Sequence, residues 1–263
     1  MSAESKGWSG GERSDGGWSG GERSDGGWVD CHSHLLAGVD DGPRTDDESL
    51  RMLGDAAAGG TRLMFVTSHL DERYPWSPQR EDDLNRAFDR LLTLAATVPG
   101  CPELRMGYEL APRPGTAEFL ADPGRWRLAG TDVVLVDGPD DIPMEHDPGV
   151  LDYIERVTAA GLRPMLAHPE RQAFLYPDDH DFAYTMKSKG ALLQVDSGAL
   201  LGFDGPAVAA EAHRLLAEGL IDLVASDAHE AGEADLRPVH RHLSQRIGSG
   251  AQALLDGTIL EER

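Results

Sequence analysis

Seven short apolar runs recur along the chain from residue 28, most of them separated by amphipathic stretches, and this alternation restricts the fold more than any other feature. The runs read WVDCH, RLMFVTSH, ELRMGYEL, DVVLVDGP, RPMLAHPE, ALLQVDSG and IDLVASDAH, each of strand length. Between them apolar residues return at three- and four-residue spacing, as at Leu84, Phe88, Leu91, Leu92 and Ala95, which predicts helices. Several of these stretches end in glycine just before the next run, which suits a helix C-cap. Strand–helix alternation implies a parallel sheet with right-handed crossovers. Seven such units over about 235 residues predict a (β/α) barrel slightly short of the eight-unit form.

The barrel is expected over residues 28–263. Residues 7–26 are GWSGGERSDG written twice, and a Gly/Ser-rich repeat with one Trp per unit cannot bury a core. Residues 1–27 are therefore expected to form a disordered extension. No run approaches the ~18–20 apolar residues that a membrane span needs. No charged-then-apolar leader is evident, so membrane insertion is not expected and a cytoplasmic location is. Two cysteines, Cys31 and Cys101, are too few for a disulfide framework. The net charge of −22 argues against nucleic acid, whose phosphates demand clustered Lys and Arg. With 21 Arg and only three Lys, any phosphate this chain meets faces Arg or a metal.

The ends of the runs carry the chemistry. They supply His32 and His34, then His69, Glu109, Asp137, His168, Gln194 with Asp196, and finally Asp227 with His229. In a parallel barrel these ends open on one face, where such barrels build their sites. Side chains two apart on a strand share a side, so His32 with His34 and Asp227 with His229 are expected to converge. Five of the ten histidines fall at these ends; His146, His180, His213, His240 and His242 fall in predicted loops or helices. Imidazole and carboxylate together suit Zn, Mn or Fe, and the lack of a thiolate partner disfavours a structural zinc. So many ligands exceed the needs of one ion and indicate a multinuclear site.

Neighbouring residues admit two readings each. Asp30 lies in register with the histidines, either as an orienting partner for an imidazole or as plain strand-start polarity. Asp40 and Asp41 before Gly42 are a turn signal in their own right. Asp196 and Ser197 read as loop caps, and Gln194 is undecided. Tyr74, Trp76 and Arg80 either form a lid over an aromatic substrate or pack on the barrel rim. Tyr108 is expected in the core, and Cys31 is expected to point away from the histidines. No C-x5-R phosphate loop follows Cys31, which argues against a cysteine nucleophile.

DCHSHLLAGVDDGP, TSH, GYEL, LAHPER, LQVDSGALLG and ASDAH, in this order, resemble the PHP (polymerase and histidinol phosphatase) superfamily. Within it they are similar to the CpsB/CapC-type bacterial protein-tyrosine phosphatases, over nearly all of 28–255. The resemblance implies a distorted (β/α)7 TIM-like barrel with two or three divalent ions, often Mn. It implies a first ion on His32, His34, Glu109 and Asp227. A second would share Glu109 with Asp137 and His168, and a third would take Asp41 or Asp40 with His69 and His229. The family more usually has Glu where this chain has Asp137. Arg171, in AHPER, is implied to face the phosphate, with Arg237 as a second candidate. The implied substrate is a phosphotyrosine protein, the tail of a kinase governing capsule or exopolysaccharide production. The alternatives are a small-molecule phosphatase of the histidinol-phosphate type and a non-catalytic metal-binding scaffold.

Overall fold

Strand follows strand in strict chain order around the sheet, β1-β2-β3-β4-β5-β6-β7, in a computed structural model that describes residues 27–112, 121–138, 148–171 and 182–261. The strands are β1 (Trp28–Asp30), β2 (Thr61–Leu70), β3 (Glu103–Leu110), β4 (Val133–Val136), β5 (Arg163–Ala167), β6 (Leu192–Asp196) and β7 (Leu223–Ala225). Every neighbouring pair is parallel. Helices α1 (Asp46–Gly59), α2 (Pro78–Ala95), α3 (Pro148–Ala159), α4 (Phe182–Ser188), α5 (Ser197–Leu201), α6 (Pro206–Ala217), α7 (Arg237–Ile247) and α8 (Gly250–Ala253) lie between or after them. The extension expected over 1–27 lies, except for Gly27, outside the described residues, as do His146 and His180.

The seam between first and last strands is closed by single bonds rather than a ladder. Asp227 N donates to His32 O and His34 N to Ala228 O, both at 2.9 Å, and Asp30 Oδ1 accepts from Ser226 N at 3.0 Å. Lower down, the carbonyls of Leu255 and Leu254 accept from Val29 and Val224. The barrel is thus nearly closed.

Strand alternation sorts the apolar residues into two cores. Val29, Cys31, Leu63, Phe65, Val133, Leu135, Met165, Leu192 and Leu223 form an inner cluster that contains no residue of α1–α8. Residues of opposite parity, such as Met64, Val66, Val134, Leu166 and Val195, pack with the helices in the larger outer cluster. Tyr108 belongs to this outer layer, edge-on to Trp126, as expected. On β3 the inner position 107 is glycine, and a Cβ there would lie 2.7 Å from the end of the Leu128 side chain, which would have to shift. Leu260 joins the inner cluster, and Arg163 ties its segment down through Ile259 O. One barrel end is therefore plugged with apolar side chains, and polar chemistry is left to the other.

Local signals explain the helices. Thr45 and Glu48 form a reciprocal capping box at the start of α1, and Gly60 ends it at φ 86°. Ser77 caps α2, with Pro78 in its first turn. One expectation changes. WVDCH is strand only to Asp30, so His32 and His34 lie past the end of β1. After β7, helices α7 and α8 are separated around Gly248, at φ 60°.

Candidate metal centre

The hub of the polar barrel end is the Glu109 carboxylate, which meets four imidazoles. Its Oε2 lies 2.8 Å from His69 Nδ1, 3.2 Å from His34 Nε2 and 3.3 Å from His32 Nε2, and its Oε1 lies 3.0 Å from His168 Nε2. Sheet register sets part of this, because His69 and Glu109 are direct partners across β2 and β3. Asp227 Oδ1 approaches His32 and His34 at 3.2 and 3.5 Å. Asp41 Oδ1 lies 3.2 Å from His69 Nε2 and 3.3 Å from His229 Nε2. Asp137 reaches His168 Nδ1 at 3.7 Å.

All nine side chains expected as ligands enter compact groups in which the candidate ligand atoms lie within 4.8 Å of one another. His34, Asp41, His69 and His229 form one group, and His32, His34 and Glu109 another. His32, His168 and Asp227 form a third, and His69, Glu109 and Asp137 a fourth. The grouping differs in detail from the one the resemblance implies: His34 also reaches the Asp41 group, and His168 stands with His32 and Asp227 as well as beside Glu109. Of Asp40 and Asp41, it is Asp41 that joins a group. Asp40 Oδ2 instead lies 3.3 Å from His34 Nδ1 and accepts from His69 N, holding two ring-bearing segments in place.

These residues fit divalent ions on two grounds. Glu109 Oε2, Asp227 Oδ1 and His69 Nδ1 are buried and make no well-directed hydrogen bond despite their close neighbours. Such donor atoms converge on shared points instead of pairing with each other. Four carboxylates (Asp41, Glu109, Asp137, Asp227) also gather here against two guanidiniums among the described residues, Arg171 on Asp227 and the largely exposed Arg73 on Asp41, so neutral histidines would leave an unbalanced negative charge. The pKa values express the same deficit. Burial opposes charge on His32, yet Asp227 and Glu109 push it up to about 9. Burial and Arg171 oppose charge on His168, yet Asp137 and Glu109 raise it to about 10. Burial works against the charged forms of Glu109 and Asp227 as well, and His32 above all holds both carboxyls well below the usual range. Protons here occupy a place suited to divalent cations.

The backbone is bent to achieve this. His168 and Asp227 are the two non-glycine residues with positive φ among the described residues, at 33° and 49°. On β5, Met165 and Ala167 face inward, so a regular strand would aim His168 at the helix layer. The left-handed turn at His168, followed by a single 3-10 turn over Pro169–Arg171, redirects it to the barrel mouth.

Arg171 arrives on that turn. Its Nη2 meets Asp196 Oδ2 and Asp227 Oδ2, each at 2.6 Å, while its side chain stays 44% exposed. Arg237 is not brought to the cluster: half exposed, it forks onto both oxygens of Asp235. Asp30 orients no imidazole; its carboxylate binds the backbone at the seam. The His32 ring partner is Gln194, whose Oε1 lies 2.9 Å from His32 Nδ1. Asp196, read from sequence as a loop cap, is buried and holds Arg171. Glu170 is also fully buried, accepting from Asp196 N, with burial and then Asp196 raising its pKa to about 8. Nothing in the sequence marked Glu170. Gln194 and Asp196 share the inward parity of Leu192, which was a usable signal. Cys31 is buried in the inner cluster with Val29 and Phe65.

The rim residues divide. Arg80 donates to Val39 O at 2.5 Å and His69 O at 3.3 Å, tying two ligand-bearing segments together. Trp76 bonds Glu81 and packs toward Trp126. Tyr74 lies parallel to the His69 ring, 6.0 Å between centroids.

Similar proteins share this arrangement of sequence and fold. The tyrosine-protein phosphatase YwqE of Bacillus subtilis is 28% identical over 207 residues, which cover 76% of this chain and 77% of YwqE. The tyrosine-protein phosphatase CpsB of Streptococcus agalactiae serotype V is 26% identical over 215 residues, covering 80% and 85%. A chain from the crystal structures of B. subtilis YwqE and Streptococcus pneumoniae CpsB, described as unique metal-dependent tyrosine phosphatases, superposes with a TM-score of 0.71 at 27% identity, covering 85% of this chain and 89% of that one. Histidinol phosphate phosphatase of Lactococcus lactis matches at a TM-score of 0.51 and 13% identity, covering 85% and 93%, a likeness of fold alone. The model of one family, capsular polysaccharide synthesis CpsB/CapC, matches residues 28–255, so this chain belongs to the CpsB/CapC family.

Proposed function

We infer that this chain is a metal-dependent protein-tyrosine phosphatase, hydrolysing phosphomonoesters at the mouth of its barrel. One observation carries the reading: four carboxylates and five imidazoles converge there around a half-exposed arginine. The ligands are His32, His34, Asp41, His69, Glu109, Asp137, His168, Asp227 and His229, and the ions are Mn2+, two or three per chain. When bound, such ions supply Lewis-acid activation of water and neutralise phosphoryl charge.

The remaining work falls to the chain itself. Phosphoryl transfer depends mostly on positioning and charge stabilisation. One nitrogen of Arg171 is held between Asp196 and Asp227, so its orientation is fixed while its other N–H groups remain for a phosphoryl oxygen. A phenolate leaving group, with a parent pKa near ~10, needs less protonation than an alkoxide. The Tyr74 ring, stacked over His69, offers an aromatic surface beside the reacting phosphate. Relatives named as tyrosine-protein phosphatases support the substrate class. The protein substrate is the phosphorylated tail of a bacterial tyrosine kinase that controls capsule or exopolysaccharide production, met in the cytoplasm. Among the described residues no helix is long and apolar enough to cross a membrane.

The test is phosphate release from a phosphotyrosine peptide by metal-stripped protein before and after Mn2+ is restored, with histidinol phosphate as the competing substrate. Activity that vanishes and returns, and favours the peptide, supports the reading. Bound metal without turnover of either compound would leave a scaffold in its place.

A further inference from the structure

Five side chains at the barrel mouth close a ring of polar contacts. His32 Nδ1 lies 2.9 Å from Gln194 Oε1, Gln194 Nε2 donates to Asp196 Oδ1 at 2.8 Å, and Asp196 Oδ2 meets Arg171 Nη2 at 2.6 Å. Arg171 Nη2 donates in turn to Asp227 Oδ2 at 2.6 Å, and Asp227 Oδ1 lies 3.2 Å from His32 Nε2. His32, Gln194 and Asp196 are essentially without solvent access, so Gln194 touches neither substrate nor bulk water. The backbone N–H of Asp196 is itself fixed by Glu170 Oε1 at 2.8 Å.

The ring has a direction, and Asp196 sets it. A carboxylate paired with arginine accepts hydrogen bonds, so the Gln194 amide must turn its NH2 toward Asp196 and its oxygen toward His32. An amide oxygen also only accepts, so His32 must carry its proton on Nδ1. That leaves the Nε2 lone pair facing Glu109, Asp227 and His34, where an ion would be held. The same Asp196 carboxylate, through its other oxygen, aims the arginine fork.

We propose that Gln194 and Asp196 are positioning residues that fix the His32 tautomer and the Arg171 fork as one unit, coupling metal affinity to phosphate grip. This rests on reading the site as a metal-dependent phosphatase centre. Partners that orient metal-ligating histidines are commonly worth 10–100-fold in metal affinity.

Two quantities test it: Mn2+ binding to metal-stripped protein by equilibrium dialysis, and inhibition of Mn2+-loaded protein by inorganic phosphate. Gln194→Met, of similar length but with no amide, should weaken Mn2+ binding about 10-fold or more. Asp196→Asn, whose amide no longer dictates the Gln194 flip, should weaken Mn2+ and phosphate together. Circular dichroism establishes that each variant is folded; if Gln194→Met is not, Asp196→Asn alone decides. An Asp196→Asn protein that loses phosphate affinity but keeps Mn2+ affinity within twofold overturns the coupling, because Asp196 then serves Arg171 only. Unchanged Mn2+ affinity in a folded Gln194→Met does the same. A parent protein that binds no Mn2+ sinks the metal reading and this inference together, whereas a parent that binds it isolates the inference.

Discussion

His168 and Asp227 share a compact ligand group, and both hold it from a left-handed backbone, at φ 33° and 49°. A non-glycine residue so placed costs on the order of 1 kcal/mol or more. The strain predicts a difference between two variants that both lack the imidazole. In metal-free protein, His168→Gly should be more stable than His168→Ala by about 1 kcal/mol, because glycine relaxes at that φ. Urea midpoints of the two would show it. Equal midpoints would mean the turn is not strained.

Asp40 and Asp41 are neighbours with different tasks. Asp41 Oδ1 faces His69 and His229, whereas Asp40 braces His34 and the His69 backbone. Asp41→Asn should therefore remove about one equivalent of bound metal per chain. Asp40→Asn should keep the stoichiometry and weaken affinity about tenfold, as loss of a partner outside the ligand set does. Metal analysis after dialysis separates the two, and identical losses would refute the division.

Much of this centre was legible in the sequence because period-two alternation and strand ends are local properties. His69, Glu109, Asp137 and Asp227 continue the inward parity of their strands, so their convergence follows from the barrel alone. His168 does not; its parity is wrong, and only its backbone turn, invisible in the sequence, brings it inward. His32 and His34 converge although β1 stops before them, held by seam bonds that no short-range pattern encodes. Glu170 was illegible, and Gln194, visible at its strand end, stayed undecided, because their roles depend on partners 26 and 162 residues away. Arg237 stood out by type and position, yet its nearest carboxylate, Asp235, is two residues off and takes the fork.

Arg171 neutralises two buried carboxylates as well as facing the mouth. Arg171→Ala should keep the bound metal and lower kcat/KM on a phosphotyrosine peptide by about 10²–10³, the usual scale for losing a charge-stabilising donor. It should also destabilise the metal-free protein, since Asp196 and Asp227 lose their counter-charge. Unaltered kinetic constants would remove Arg171 from substrate handling.

Stability of the metal-free protein should fall as pH rises from 6.5 to 9. His32 and His168 titrate near the ordinary histidine value of ~6.5 when unfolded, but at about 9 and about 10 when folded. Groups whose folded pKa is raised contribute stability fully below the unfolded value and lose it as pH climbs through the folded one. Glu170, raised to about 8 by burial and by Asp196, acts in the same direction over part of this window. Asp40, lowered to about 2 through its His34 contact despite burial, is ionised throughout the window and contributes no slope. The expected loss is on the order of 5 kcal/mol between pH 6.5 and 9. Saturating Mn2+ should reverse the trend, because ions and protons compete for the same imidazoles and affinity grows as protons leave. Urea midpoints at both pH values, with chelator and with Mn2+, test both halves at once. A metal-free protein that grows more stable toward pH 9 would show that the histidines are not held protonated by Glu109 and Asp227.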